Sequence, residues 1–165
     1  MAGKATPAIA AAERAGVTFR VHEYVHDARA ASYGEEAAEA LGLEPDRVFK
    51  TLVVDVDGEL TVALVPVTTQ LDLRALGKRV AMADMKLAER TTGYVAGGIS
   101  PLGQRKALPT VIDETAELWE TVYVSAGRRG LEIELAPGDL ADLTGARFVA
   151  IARSVRVWLQ PDPCA

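Results

Sequence analysis

The stretch Val48-Phe-Lys-Thr-Leu-Val-Val-Asp-Val-Asp-Gly-Glu-Leu-Thr-Val-Ala-Leu-Val-Pro-Val67 holds two β-branched, apolar runs separated by Asp57-Gly58. Asp-Gly suits a two-residue hairpin turn, because both central residues there take positive φ. The spacing predicts antiparallel strands over Val48–Val56 and Leu60–Val67. Side chains alternate along a strand, so Lys50 shares its face with Val48, Leu52, Val54 and Val56. A lysine among inward-pointing aliphatic residues is costly unless it is paired or reaches a cleft. The plainer alternative is a strand-end lysine whose long stem carries its ammonium to water.

Working outward, Thr6-Pro7 followed by an Ala/Ile/Glu/Arg run and Gly16 predicts a helix, with Thr6 as N-cap and Gly16 as the C-terminal stop. Val17–Val25 reads as a strand, and Ser32 with Glu35 and Glu36 as the start of a helix that ends at Leu41-Gly42. Two further helices are expected over Leu71–Gly77 and Met82–Arg90. Short strands are expected at Thr110–Ile112, Thr121–Val124, Leu131–Leu135 and Arg147–Ile151, and a helix at Pro137–Leu143. Gly93–Gly103 is too rich in glycine for a regular element. Strands and helices interleave without a regular βαβ repeat, so the fold class is α+β: a single compact domain with a mixed sheet flanked by helices. Residues 1–153 form that domain in this reading, and 154–165 a C-terminal tail.

Composition narrows the function classes. Of 165 residues, 49% are apolar and 25% charged, with a net charge of −5, which is ordinary globular usage. No apolar run approaches the ~20 residues of a membrane span, and the N-terminus lacks a secretory layout. The single cysteine, Cys164, provides neither a disulfide framework nor a cysteine metal cluster. Cytoplasm is the expected compartment. An acidic chain does not hold nucleic acid by charge alone, so such a role needs a local basic patch or a partner protein.

Several motifs are misleading. His22-Glu-Tyr-Val-His26 spells HExxH, but that zinc signature needs a helix. The flanking residues favour a strand, which would separate the two Cα atoms by roughly 13 Å. Gly98-Ile-Ser-Pro-Leu-Gly103 has phosphate-loop glycine spacing but is followed by Gln104-Arg105, and Ser100 misses the nucleophile-elbow pattern by one residue. The loop is then either a surface turn or a set of backbone N–H groups facing a substrate oxygen, stiffened by Pro101. Asp72, Asp84, Asp113 and Asp139 sit where helix starts or turns explain them. Glu132 and Glu134 share one face of Leu131–Leu135, which reads as a solvated sheet face. Arg105-Lys106 and Arg128-Arg129 are short basic clusters, for solubility or for phosphate.

Three segments together resemble the YbaK/EbsC branch of the aminoacyl-tRNA editing family: Val48-Phe-Lys-Thr-Leu52, Thr92-Gly-Tyr-Val-Ala-Gly-Gly-Ile-Ser-Pro-Leu-Gly-Gln104 and Tyr123-Val-Ser-Ala-Gly-Arg-Arg-Gly-Leu131. Thr6-Pro7-Ala8, His22–Asp27 and Gln70-Leu-Asp-Leu73 add to the likeness, which spans Thr6 to Arg153. The resemblance implies a curved mixed sheet and removal of wrong amino acids from tRNA, above all cysteine from proline tRNA. It further implies attack by the substrate's own thiol, with no cofactor and no metal. It places Lys50 and Gly97 in the catalytic role, and Gly98, Ser100, Pro101, Ser125, Tyr24 and Glu132 against the substrate, with Tyr33 a further pocket candidate. The family's usual Gly-Leu-Asp is here Gly130-Leu131-Glu132, one methylene longer. Expected partners are mischarged tRNA, bound weakly and salt-dependently, and prolyl-tRNA synthetase. Two other readings stay open: a non-catalytic tRNA- or synthetase-binding module, and a hydrolase or lyase for another small ester or thiol compound.

Overall fold

Hydrogen-bond caps set the starts of two helices in the computed structural model, which describes residues 5–27, 29 and 33–154. Helix α1 (Pro7–Ala15) starts at Thr6, whose Oγ1 accepts the Ile9 N–H at 3.2 Å, and ends at Gly16 with φ 69°. The same hydroxyl donates to the Ala126 carbonyl at 2.6 Å, tying the helix to a distant strand. Strand β1 (Phe19–Glu23) is shorter than the expected Val17–Val25, and α2 spans Tyr33–Leu41. Ser32, its expected start, lies outside the described residues.

The hairpin is built as its sequence predicts. Strands β2 (Phe49–Val56) and β3 (Glu59–Pro66) pair antiparallel along their full length, and Asp57 and Gly58 take φ of 52° and 92°. The next segment departs from expectation. In place of a helix over Leu71–Gly77 stand strand β4 (Thr69–Leu71) and a single 3-10 turn, Leu73–Ala75. Met82 closes strand β5 (Val80–Met82), paired to Val54, so α3 starts later, at Met85–Thr92. Asp84 sets that start by accepting the Leu87 N–H at 3.0 Å. At Met82, pairing with the free edge of β2 prevailed over helix propensity.

The remaining elements are β6 (Thr110–Asp113), β7 (Val122–Arg128), β8 (Leu131–Leu135), α4 (Pro137–Thr144), β9 (Arg147–Val149) and β10 (Ala152–Ser154). The expected last strand, Arg147–Ile151, stops at Val149, and β10 follows it as a separate strand. Asp113 causes the break: its Oδ1 accepts the N–H groups of both Ile151 and Ala152, at 3.0 and 2.8 Å. Beyond the break, β10 pairs with β4. It reaches Ser154, the first residue of the expected tail, and 155–165 lie outside the described residues.

One sheet has the order β5-β2-β3-β6-β9, antiparallel around β2 and parallel from β3 to β9; a second, antiparallel, has the order β1-β8-β7. A single parallel bridge, Val48 to Tyr123, joins the two. The result is the α+β architecture with a bent mixed sheet. Phe49 and Val53 enter the larger core with α1, β7, β8 and α4, while Val54 enters a smaller core with Val65, Leu71 and Ile151. Strand β2 is therefore covered on both faces, which is why it reads as a nearly continuous apolar run.

Candidate active site

After the bridge at Val48, β2 and β7 diverge. Strand β5 pairs with β2 only from Val54 onward, so the edge of β2 between these points is open. A cavity of about 370 Å³ occupies the fork, walled by β2, the start of α2, the first half of α3, the loop at Ala96–Ile99 and the β7–β8 pair. Its size suits a small-molecule group.

Lys50, Gly97, Ser125, Glu132 and Tyr33 all line this cavity. Lys50 is half-buried. Its Nζ donates to the Thr69 carbonyl at 2.7 Å, which satisfies one of the ammonium's three protons. Burial lowers its pKa, with Glu35 acting in the opposite direction. The face it shares with Leu52, Val54 and Val56 is apolar as read, but the opposite face is apolar too. The cavity mouth and the β4 carbonyl, rather than alternation alone, account for the tolerated charge.

Glu132 is a correction. Its face of β8 is not solvated: the residue is 7% exposed, paired in register with His22 on one side and Ser125 on the other. Burial lifts its pKa from 4.5 to about 8, so it holds its proton at neutral pH. Its neighbour Glu134 does behave as a paired carboxylate, accepting from His22 at 2.9 Å and Thr121 at 2.6 Å. Among the described residues only two buried side-chain polar atoms lack a partner, Glu132 Oε2 and Thr51 Oγ1. Both residues line this cavity. Buried polar groups are normally satisfied, so two orphans on residues that line one space mark where a polar ligand would sit. Sequence reading passed over Thr51, which looks like an ordinary strand residue.

The glycine loop divides. Gly97, with φ 85°, faces the cavity, and among the described residues its N–H has no protein partner. Gly98, Ser100 and Pro101 do not line it. A Cβ on Gly98 would meet the Arg128 backbone at 2.7 Å, so that glycine serves close packing. Ser100 is fully buried, its Oγ accepting the Leu102 N–H at 3.2 Å, and Pro101 is buried beside it. Ser125 Oγ accepts the Gly127 N–H at 3.2 Å. Tyr24 does not line the cavity; it is half-buried, its phenol pushed up to about 12 by burial and by the Glu132 charge.

The two histidines of HExxH go to separate carboxylates. His22, on β1, meets Glu134, and His26 Nδ1 lies 2.9 Å from Glu36 on α2. Behind α3, a second groove is lined by Arg90, Arg105 and Lys106, with Glu59 the acidic residue among them. No helix among the described residues is long and apolar enough to cross a membrane.

Comparison with known proteins identifies the family. The aminoacyl-tRNA editing domain family matches residues 27–143. The chain is 40% identical over 154 residues to EbsC of Enterococcus faecalis, whose name assigns it as a Cys-tRNA(Pro)/Cys-tRNA(Cys) deacylase; 88% of this chain and 92% of that one are covered. It is 33% identical over 137 residues to the proline–tRNA ligase of Maridesulfovibrio salexigens, covering 79% of this chain and 22% of the ligase. A solved structure described as a trans-editing enzyme for prolyl tRNA synthetase superposes with a TM-score of 0.79 at 27% identity, covering 90% of this chain and 96% of that one. The chain belongs to the aminoacyl-tRNA editing domain family.

Proposed function

We propose that this chain deacylates tRNA carrying a wrong amino acid, with cysteine on proline tRNA as its principal substrate. The observation that carries the reading is the cavity itself. A desolvated lysine, a protonated carboxyl, and a backbone N–H and a hydroxyl without partners among the described residues all belong to the lining of one small space in a fold of the editing family. The name of the EbsC relative supports the substrate class.

The cavity holds donors rather than an activated nucleophile. Its serine, Ser125, accepts a backbone N–H, and no histidine is among the described residues that line the cavity. Chemistry supplied by the substrate suits such a site. The cysteine sulfur attacks the ester carbonyl, a C–S bond forms, and the bond from that carbon to the ribose oxygen breaks. The thiol proton ends on the ribose oxygen, giving a thiolactone and free tRNA. Holding thiol and carbonyl together contributes up to about 7–11 kcal/mol in favourable cases. Lys50 and Gly97 stabilise the developing oxyanion. Ser125, Thr51 and Glu132 orient the aminoacyl group, and Glu132 does so as a donor. Gly98, Ser100 and Pro101 shape the loop from behind, and Tyr24 supports Glu132.

The net charge of −5 makes tRNA binding weak and salt-dependent, through Arg90, Arg105 and Lys106 in the second groove and Arg74 nearby in sequence. Prolyl-tRNA synthetase then supplies tRNA identity, and the work takes place in the cytoplasm. Residues 1–153 are the editing domain in this reading and 154–165 a tail. The test is deacylation of proline tRNA charged with cysteine, serine or alanine. Loss of cysteine alone is expected; release of serine at a comparable rate would replace the thiol mechanism with an activated water.

A further inference from the structure

Arg129, in the turn between β7 and β8, is absent from the cavity lining yet grips the loop that forms one wall. Its Nε and Nη2 both donate to the Ala96 carbonyl, at 3.1 and 2.9 Å. Its guanidinium carbon lies 4.4 Å over the Tyr33 ring. The flanking peptides are also held. The Ala96 N–H donates to Glu89 Oε2 at 3.0 Å and the Gly98 N–H to the Val95 carbonyl at 2.9 Å.

The peptide between Ala96 and Gly97 is planar and trans, so its carbonyl and its N–H point in opposite directions. A guanidinium that fixes the Ala96 oxygen therefore fixes the Gly97 N–H as well. That N–H has no protein partner among the described residues, and both residues line the cavity. The clamp explains the glycine: a Cβ at residue 97 would sit 2.5 Å from Arg129 Nε and 2.9 Å from the Tyr33 ring.

We propose that Arg129 is a positioning residue for deacylation, holding the Ala96–Gly97 peptide so that the Gly97 N–H faces the ester oxygen that gains charge on attack. This rests on the reading of the cavity as the ester site. Arg129 touches no substrate; it acts through the loop. Two donors from one planar fork, plus the ring beneath, restrain the carbonyl in a way a single ammonium cannot.

The experiment compares wild type with Arg129→Ala and Arg129→Lys. Removing a preset oxyanion donor costs about 10²–10³ in kcat; loosening one should cost about 10–100-fold, with KM changed by less than about threefold. Lysine should recover part of the loss. In the free protein, the Gly97 amide order parameter should fall from about 0.85 toward 0.6 in the alanine variant. Wild-type kcat in Arg129→Ala, a rise in KM alone, or an unchanged Gly97 order parameter would each overturn the proposal. If Arg129→Ala does not fold, the lysine variant is read in its place, with a smaller loss of kcat and of order expected. Failure of the wild type to act on cysteine-charged tRNA would instead overturn the substrate reading, and the order parameter still decides the clamp.

Discussion

Glu132→Gln replaces a buried acid by a neutral group of the same shape, and its effect should depend on pH in a predictable way. Glu132 is 7% exposed, its Oε2 has no partner among the described residues, and burial alone raises its pKa from 4.5 to about 8. In the unfolded chain the carboxyl ionises above about pH 4.5; in the folded chain it stays protonated to about pH 8. The folded state thus binds the extra proton between these values, and stability falls as pH rises through that window. At about 1.4 kcal/mol per pH unit, the full loss is on the order of 5 kcal/mol above pH 8. Glutamine never ionises and escapes it. Urea unfolding of both proteins at several pH values gives the difference in stability, in which every other titrating group cancels. That difference should grow in favour of Glu132→Gln by about 1.4 kcal/mol per unit from pH 5 to 8, then level off. The amide keeps a donor in the cavity, so activity at pH 7 should survive the substitution. Above pH 8 the wild type should lose activity and the variant should not. A stability difference flat across this range would mean that Glu132 is ionised in the folded protein, and the reasoning would fail.

Lys50→Ala should lower kcat/KM by about 100-fold or more, the scale of a lost oxyanion stabiliser, while circular dichroism and melting change little; wild-type activity would remove Lys50 from the site. Gly97→Ala places a methyl 2.5 Å from Arg129 Nε at a φ of 85°, so activity should collapse with a stability loss of about 1–3 kcal/mol. Asp113 accepts N–H groups from Ile151, Ala152 and Thr115. Burial alone would raise its pKa, but these hydrogen bonds and that of the Thr115 hydroxyl outweigh burial and hold it below 3.8. Asp113→Ala should therefore cost about 2–4 kcal/mol at neutral pH. The difference from wild type, read by urea unfolding, should shrink as pH falls below 3.8 and the wild-type carboxylate takes up its proton. Replacing Arg90, Arg105 and Lys106 together by alanine should weaken tRNA binding and make its salt dependence shallower by about 2–3 in log–log slope, with deacylation of saturating substrate preserved.

Much of this molecule is legible along the chain because its signals are local. Thr6-Pro7 with Gly16 brackets α1, Asp57-Gly58 places the hairpin turn, and Asp72, Asp84 and Asp113 each accept a nearby backbone N–H. Such features depend on neighbours within a few residues. The errors fall where a distant segment intervened. The helix expected over Leu71–Gly77 lost its first residue to β4, which pairs with β10 some eighty residues away. Arg147–Ile151 was cut short at Val149, where Asp113 from another strand takes the Ile151 N–H.

The site follows the same division. By itself the sequence determined that Lys50 lies on an apolar strand face, that the Gly93–Gly103 segment cannot be regular, and, through its motifs, the family. Only the tertiary structure decided which of the named residues meet. Lys50, Gly97, Ser125 and Glu132 share one cavity, while Gly98, Ser100 and Pro101 lie behind it. Alternation reports which side of a strand a residue occupies, not what covers that side. Glu132 and Glu134 are two residues apart and look alike in sequence. The β2–β7 fork buries one without a partner, and His22 and Thr121 pair the other. The difference comes from packing contributed by distant strands, which no local pattern encodes.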